Sequence, residues 1–183
     1  GKSKRMGYEK QKILLTNTNL KKYLLIFLKK INLINIFLNT KKLKKNNIKY
    51  YIKDELYSES PLIGLLSSIN YFLKKSIFQT TLILTIDMPL LTKEIIYILN
   101  TINNSYNGVY FSYTQFPLKV KITKKILIIL KNKIIKNNYK IKNILILLNL
   151  KKIKLKKKYY LTFSNINSPK KWLIINQMLY NYL

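Results

Sequence analysis

The spacing of apolar and polar residues along the chain predicts alternating helices and strands. Apolar side chains recur at helical intervals in residues 17–30, 61–77, 92–103, 123–136 and 169–180. Short apolar runs predict strands at residues 33–38, 48–52, 81–86, 108–113, 117–122 and 159–163, whereas the run 144–148 is ambiguous. Because strands and helices alternate over most of the length, the pattern indicates an α/β fold with a largely parallel sheet. The run 81–86 is typical of a buried parallel strand.

The positions of polar residues next to these segments predict where the helices begin. Asn17 or Thr18 is the expected cap of the first helix, and Ser168 precedes Pro169 at the start of the last. The 183 residues fit one domain, 1–183, without a Pro- or Ser-rich linker. No apolar run approaches the roughly 20 residues of a membrane span, and no signal peptide is evident. We therefore predict a cytoplasmic protein without a membrane partner.

The absence of two residue types limits the catalytic and metal-binding groups that the chain can use. The chain contains no cysteine and no histidine. Thiolate metal sites, disulfides, histidine acid–base catalysis and Ser-His-Asp triads are therefore excluded. Carboxylates, lysines, hydroxyls and backbone amides remain, and they favour phosphate chemistry assisted by a metal ion.

The net charge of +29 is the most conspicuous feature of the composition. A charge of this size is typical of proteins that bind nucleic acid. However, Lys rises together with Asn, Ile, Leu and Tyr, and Arg5 is the only arginine. AT-rich codons produce this bias in amino-acid composition, whereas proteins that bind the phosphate backbone of nucleic acids favour arginine. The composition therefore does not favour a nucleic-acid partner, and the lysine-rich stretch 151–158 is interpreted as a solvated loop or sheet edge.

The scarce residue types fall mostly in four short segments. Glycines, Arg5 and Lys10 form a basic N-terminal segment, where backbone amides and fixed positive charge suit phosphates. Asp54 precedes a Pro61-Leu62-Ile63-Gly64 turn that begins a predicted helix. Asp87 follows a predicted strand within Asp87-Met88-Pro89, and the fourth segment is Asn165-Ile166-Asn167-Ser168-Pro169.

Asp87 is the candidate metal ligand. A carboxylate that directly follows a buried strand lies at the edge of the sheet where α/β folds bind ligands. Carboxylate oxygens are the ligands that Mg²⁺ prefers. Asp87 could instead cap the following helix, but Thr92 is the better placed cap.

Together the four segments resemble the molybdenum cofactor guanylyltransferases, a family of MobA-like nucleotidyltransferases. Their signature loop reads Gly-Gly-x-Ser-x-Arg-Met-Gly-x-Asp-Lys, and Ser3, Arg5 and Lys10 match it in register, with Glu9 in place of Asp. The Asp-Met-Pro motif matches at Asp87. Ser60 stands where the family has glycine before Pro-Leu-x-Gly, and Ser168 stands for threonine in the last segment.

The resemblance implies a three-layer Rossmann-like domain with a mostly parallel central sheet. It implies Mg²⁺-dependent transfer of GMP from GTP to molybdopterin or the molybdenum cofactor, forming the guanine dinucleotide cofactor and releasing pyrophosphate. Cofactor-receiving molybdoenzymes or their chaperones would be further partners. The residues carried over are Arg5, Lys10 and Asp87 as catalytic, Asp87 as the metal ligand, Gly1, Ser3, Arg5, Lys10, Asn39, Asp54, Pro61, Leu62 and Gly64 as nucleotide-binding, and Asn165 and Asn167 on the pterin side.

Members of the family have a central strand just before the position of Gly1. We therefore predict that the native protein is longer at its N-terminus and that this strand completes the sheet. Three alternatives stay open. They are a related nucleotidyltransferase that uses CTP or a sugar phosphate, a basic RNA-binding or ribosomal protein, and a diverged copy that folds without catalysing.

Overall fold

The computed structural model describes residues 13–15, 17–33, 35–41, 51–56, 60–76, 78–102 and 105–181. Within these residues the helices are α1 (Leu20–Lys30), α2 (Pro61–Lys75), α3 (Lys93–Thr101), α4 (Lys124–Ile135), α5 (Ile141–Leu147) and α6 (Pro169–Asn181). The strands are β1 (Leu14–Leu15), β2 (Thr18–Asn19), β3 (Leu38–Thr40), β4 (Tyr51–Lys53), β5 (Thr80–Ile83), β6 (Gly108–Phe111), β7 (Leu118–Lys121) and β8 (Lys151–Ile153). The predicted α/β class is confirmed, with helices and strands alternating along the chain.

Polar side chains cap the helices close to the predicted positions. The Ser168 hydroxyl accepts from the Lys171 N–H at 3.3 Å at the start of α6, as predicted. The first helix begins later than expected, because Asn19 caps it by accepting from the Lys22 N–H at 2.9 Å. Thr18 and Asn19 pair with Leu14 and Leu15 as a short antiparallel hairpin, which removes them from the helix.

The chain divides into two compact units. Unit 1 comprises the described residues within Gly1–Ile34, Leu84–Ile98 and Leu155–Leu183, and unit 2 comprises those within Asn35–Ile83 and Leu99–Lys154. Unit 1 has a core made of apolar side chains from β1 and the residue before it, from α1, from α6 and from the loop before α6, namely Ile13, Leu15, Leu20, Ile166, Ile175 and Leu179. Trp172 on α6 also donates its indole N–H to the Leu14 carbonyl at 2.7 Å.

Unit 2 contains two sheets. In the first, β3 and β4 pair in parallel. In the second, the strand order is β5-β7-β6-β8, with β7 antiparallel to β5 and β6, and with β8 parallel to β6. Gly108 begins β6 at φ 156°, where a Cβ would lie 2.2 Å from the Lys119 carbonyl oxygen. The close approach of β7 therefore requires glycine at this position.

Two predicted strands differ from the structure. The run 81–86 forms only β5, Thr80–Ile83, which is half-buried and pairs antiparallel with β7. Periodicity predicts an extended segment but does not reveal the direction of its partner. Residues 159–163 lie in the 3₁₀ helix Lys157–Phe163, where the Tyr159 N–H donates to the Lys156 carbonyl at 3.1 Å. Their aromatic and β-branched side chains favour strands, but local turns satisfy the backbone here.

Three other predicted segments are shifted, assigned or confirmed by the structure. The strand expected at 33–38 is β3, Leu38–Thr40, and Phe37 before it packs edge-on against Phe72 and Phe78. The ambiguous run 144–148 falls largely within helix α5. β8, within the lysine-rich stretch, is the last strand of the four-stranded sheet and exposes Lys151 and Lys152, as predicted for a sheet edge.

No helix in the described part of the chain is both long and apolar enough to cross a bilayer. The single domain and the further N-terminal strand stay predictions.

Candidate nucleotide and metal site

Asn39 connects the end of β3 with helix α2 and with the residue after β4. Its side-chain Nδ2 donates to the Gly64 carbonyl at 2.9 Å and, over a longer distance of 3.4 Å, to Oδ1 of Asp54. Its Oδ1 accepts from the Ser68 hydroxyl at 3.0 Å. The parallel pairing of β3 with β4 brings Asn39 and Asp54 to the same end of the two strands, since the Asp54 N–H donates to the Thr40 carbonyl at 2.9 Å.

The Asp54 carboxyl lies in a partly desolvated environment. Burial raises its pKa above the usual value, and the hydrogen bond from Asn39 and the positive charge of Lys41 act in the opposite direction. Burial is the larger influence because the charged form loses solvation that two weak partners do not replace. Asp54 is thus a half-buried acceptor beside a positioned amide, which suits recognition of hydroxyl or N–H groups.

Four polar residues near Asp54 were missed by the sequence analysis. Ser67 and Ser68 of α2 are 1% and 4% exposed, among the few buried polar side chains of the described chain. The Ser67 hydroxyl accepts from the Glu55 N–H at 2.9 Å, and the Glu55 carboxylate accepts from the Asn70 side-chain amide. The two adjacent serines interrupt an apolar stretch of the predicted helix, and that interruption was the signal available in the sequence.

The Pro-Leu-x-Gly turn begins α2 as predicted. Ser60 caps this helix by accepting from the Leu62 N–H at 3.2 Å, and Pro61 occupies the first helical position. The side chain of Leu62 is fully buried in the core, so only its backbone could face a ligand. A Cβ added at Gly64 would lie 3.6 Å from Nδ2 of Asn39, an ordinary contact, so the protein around it has room for alanine.

In unit 1, Asp87 lies in the loop between β5 and α3. The residue is 9% exposed, and Oδ1 of its carboxylate is buried. Its carbonyl oxygen accepts from the Ile166 N–H at 2.9 Å, which ties the Asp87 loop to the loop that precedes α6. The expectation that Asp87 directly follows a strand is wrong, because β5 already ends at Ile83 and a turn intervenes.

The same hydrogen bond brings the third and fourth segments together. Ile166 is fully buried in the core of unit 1, and its neighbours Asn165 and Asn167 are half-buried. Oδ1 of Asn165 is buried and accepts no hydrogen bond from the described residues. Because a buried acceptor without a partner is costly, this oxygen is a candidate contact for a ligand or an ordered water.

The residues of the Asp87 loop fit a hard divalent cation. The described residues contain no group of three or more Asp, Glu, His or Cys side chains that could form a closed metal site. Mg²⁺ needs no such group, since it retains several waters and binds through one or two carboxylates together with substrate phosphates. A single, largely buried carboxylate such as Asp87 is an appropriate protein ligand for this mode of binding.

The structure thus brings together predicted residues within each unit. Asn39, Asp54 and Gly64 meet in unit 2, and Asp87 and Asn165 flank one hydrogen-bonded contact in unit 1. Gly1, Ser3, Arg5 and Lys10 lie outside the described residues.

Sequence comparison identifies the class of protein and then its family. The sequence family described as the MobA-like NTP transferase domain matches residues 1–122 of the 183-residue chain. The chain therefore belongs to the MobA-like NTP transferase family, and it is a nucleotidyltransferase. A search among curated proteins returns no significant match to the sequence.

Solved structures agree with this fold. The chain is similar to molybdopterin-guanine dinucleotide biosynthesis protein A from Archaeoglobus fulgidus, with a TM-score of 0.81 and 17% identity over 99% of this chain and 95% of that one. It is also similar to a 4-diphosphocytidyl-2C-methyl-D-erythritol synthase from Anaerococcus prevotii, with a TM-score of 0.64 and 10% identity over 93% of both chains. At these identities the likenesses establish the Rossmann-like nucleotidyltransferase fold.

Proposed function

We propose that this protein transfers GMP from GTP to molybdopterin with the help of Mg²⁺. The observation that carries the proposal is the hydrogen bond between the Asp87 carbonyl and the Ile166 N–H. It joins the loop that would hold the metal to the loop that would hold the pterin. The similarity to a protein named for molybdopterin-guanine dinucleotide biosynthesis supports the same acceptor.

In the proposed reaction a phosphate oxygen of molybdopterin attacks the α-phosphorus of GTP. A new phosphorus–oxygen bond forms, and the bond from the α-phosphorus to the oxygen that bridges it to the β-phosphate breaks. Pyrophosphate leaves with the bonding electron pair, and the product is the guanine dinucleotide form of the cofactor. No covalent enzyme intermediate is required, so the protein contributes positioning and charge.

The chain's own residues have separate roles in this proposal. Asp87 would hold Mg²⁺, which supplies charge neutralisation at the phosphates when bound. Arg5 and Lys10 would bind the triphosphate and stabilise the leaving pyrophosphate. Gly1 and Ser3 would contribute to the phosphate-binding loop that contains Arg5 and Lys10. Asn165 and Asn167 would orient the pterin acceptor.

Asp54 and its surroundings would recognise the nucleoside. The half-buried carboxylate of Asp54 is an acceptor for ribose hydroxyls or base N–H groups, and Asn39 holds it through a side-chain hydrogen bond. The backbone of Pro61, Leu62 and Gly64 would lie against the base and ribose. The cytoplasmic location and the transfer of the product to molybdoenzymes or their chaperones are further parts of the proposal.

A ligand panel tests the nucleotide part. The melting temperature of the protein would be measured with GTP, CTP, ATP and UTP, each with and without Mg²⁺. A ligand at a hundred times its dissociation constant adds about 2.7 kcal/mol to the free energy of unfolding. We expect a Mg²⁺-dependent shift with GTP that Asp87→Asn abolishes and that Glu94→Gln, a matched change at an exposed carboxylate, retains.

The other outcomes separate the alternatives. A shift with CTP alone would replace GTP by CTP and make the protein a related nucleotidyltransferase. Absence of any nucleotide effect, together with RNA affinity that falls steeply with salt, would support the basic RNA-binding alternative. Nucleotide binding without turnover of molybdopterin would indicate a diverged copy that no longer catalyses.

A further inference from the structure

Helix α2 carries two adjacent buried serines whose hydroxyl groups serve different partners. Ser67 and Ser68 are 1% and 4% exposed, so both hydroxyls lie in the interior of unit 2. The Ser67 hydroxyl accepts from a backbone N–H, that of Glu55, at 2.9 Å. The Ser68 hydroxyl donates to a side chain, to Oδ1 of Asn39, at 3.0 Å. The two hydrogen bonds are similar in length, but one holds the main chain at Glu55 and the other holds the side chain of Asn39.

The contacts of Asn39 leave its amide group one orientation. The Gly64 carbonyl, 2.9 Å from Nδ2, can only accept a hydrogen bond, and Oδ1 of Asp54, 3.4 Å from Nδ2, accepts a second one. Both must therefore face the NH₂ group, which has two hydrogens to donate. The oxygen of the amide then faces Ser68, whose hydroxyl must donate. If the amide rotated by half a turn, two acceptors would face an oxygen, and both hydrogen bonds would be lost.

We propose that Ser68 is a positioning residue for the nucleotide site. The Gly64 carbonyl and Asp54 set the orientation of the Asn39 amide, and Ser68 anchors the amide oxygen so that the N–H stays within reach of Oδ1 of Asp54. The carboxylate is thereby kept in one rotamer, with its other oxygen facing a ribose hydroxyl or a base N–H of the bound nucleotide. Ser68 acts through Asn39 and Asp54 and has no contact with the nucleotide itself. This inference rests on the proposed function, because it takes Asp54 as a nucleotide contact.

Ser67 provides the matched control for this relay. It is the neighbour of Ser68 on the same helix, is equally buried, and loses one hydrogen bond of similar length when it is changed to alanine. A purely structural role predicts the same behaviour for Ser67→Ala and Ser68→Ala. A positioning role predicts that only Ser68→Ala changes the properties of Asp54 and of the bound nucleotide.

The first experiment compares nucleotide binding and turnover. Calorimetry with GTP and Mg²⁺ should show an affinity about three- to tenfold weaker for Ser68→Ala, the change expected when one hydrogen bond is lost. The turnover number at saturating GTP should stay within about twofold of the wild-type value, because the chemical step does not use Ser68. Ser67→Ala should bind GTP as the wild type does. Equal losses in the two variants, or wild-type affinity in Ser68→Ala, would overturn the proposal.

A second measurement tests the relay without any nucleotide. The Asp54 carboxyl carbon would be titrated by NMR in the wild type and in both variants. The hydrogen bond from Asn39 lowers the pKa of Asp54, so loss of the Ser68 anchor on the Asn39 amide in Ser68→Ala should raise that pKa further. Ser67→Ala, in which Asn39 and Lys41 are unaltered, should leave it at the wild-type value. An unchanged Asp54 titration in Ser68→Ala would refute the relay.

The two measurements also separate the relay from the proposed function. A wild-type protein that binds no nucleotide contradicts the proposed function and the nucleotide half of this inference together. The Asp54 titration decides the hydrogen-bonded relay in either case.

Discussion

Asp54 in unit 2 and Asp87 in unit 1 are held in different ways. The Asp54 side chain accepts from Asn39 within a set of bonded polar groups, and its main-chain N–H donates to the Thr40 carbonyl. The main-chain carbonyl of Asp87 accepts from the Ile166 N–H and connects two loops of unit 1. The asparagines beside them differ correspondingly. Oδ1 of Asn39 has a donor at 3.0 Å, whereas Oδ1 of Asn165 is buried without one among the described residues.

The difference separates two ways of building a site. In unit 2 the polar side chains satisfy one another before any ligand is present, so they contribute to stability as well as to recognition. In unit 1 a main-chain hydrogen bond connects the loops, and Oδ1 of Asn165 is buried without a donor among the residues that the structure describes, so it can accept from another partner. Substitutions in the unit 2 network should therefore affect stability as well as nucleotide binding, whereas substitutions at Asp87 and Asn165 in unit 1 should affect mainly function.

The largest expected effect is that of Asp87→Asn on turnover. Loss of the carboxylate should lower the rate of GTP consumption at least about a hundredfold, because metal-assisted charge neutralisation is worth several kcal/mol. The melting temperature without ligand should change little, since the main-chain hydrogen bond to Ile166 is retained. Steady-state assay of pyrophosphate release and thermal unfolding would check both. A variant that turns over normally would exclude Asp87 as the metal ligand.

Asn39→Ala should cost stability in addition to nucleotide affinity. The change leaves the buried Ser68 hydroxyl without its acceptor and Asp54 without its donor, at a cost of about 1–3 kcal/mol in the free energy of unfolding. Urea denaturation would measure it. Asn132→Ala, at an exposed position of α4, is the matched control and should stay within about 0.5 kcal/mol of the wild type. Similar values for the two variants would contradict the bonded network.

Asn165→Ala is the same substitution in unit 1 and should behave in the opposite way. Because Oδ1 of Asn165 accepts no hydrogen bond from the described part of the chain, its removal should change the free energy of unfolding by no more than about 0.5 kcal/mol. The KM for molybdopterin should rise by about tenfold, the equivalent of one lost ligand contact. A loss of stability as large as that of Asn39→Ala would remove the contrast between the two units.

The smallest effect is a pH dependence that originates at Asp54. Burial raises the pKa of this carboxyl in the folded protein, so the folded state binds a proton more tightly than the unfolded state. The resulting contribution to stability is full below the usual aspartate pKa and is lost as the pH rises through the raised value. Asp54→Asn should lack this decline. Urea unfolding of both proteins across the acidic range would show it as a difference that widens with pH. Parallel curves would contradict the raised pKa.

The sequence predicted most helices because their signals are local. Apolar spacing and capping residues such as Ser168, which accepts from the Lys171 N–H at 3.3 Å, identify a helix without knowledge of the rest of the chain. Strands were harder because their partners are distant. The direction of the β5–β7 pairing and the 3₁₀ helix at Lys157–Phe163 depend on contacts that periodicity does not contain.

The candidate site likewise has a part that the sequence could predict and a part that depends on distant contacts. Aspartate is scarce in this lysine- and isoleucine-rich chain, and that scarcity identified Asp54 and Asp87 as candidate site residues. The resemblance to a known family supplied their expected roles. The burial of Ser67 and Ser68 and the hydrogen bond from Ile166 to Asp87 were not evident, because they join residues far apart in the chain.

The sequence by itself determined the α/β class, most of the helices, the residue types available for chemistry and the segments that carry the family's motifs. These follow from local spacing and from composition, which need no partner to be read. The tertiary structure alone decided which polar atoms satisfy one another and which do not. That decision arises when distant segments are brought within hydrogen-bond distance and water is removed, because only then does an unpaired oxygen such as Oδ1 of Asn165 differ in free energy from a paired one.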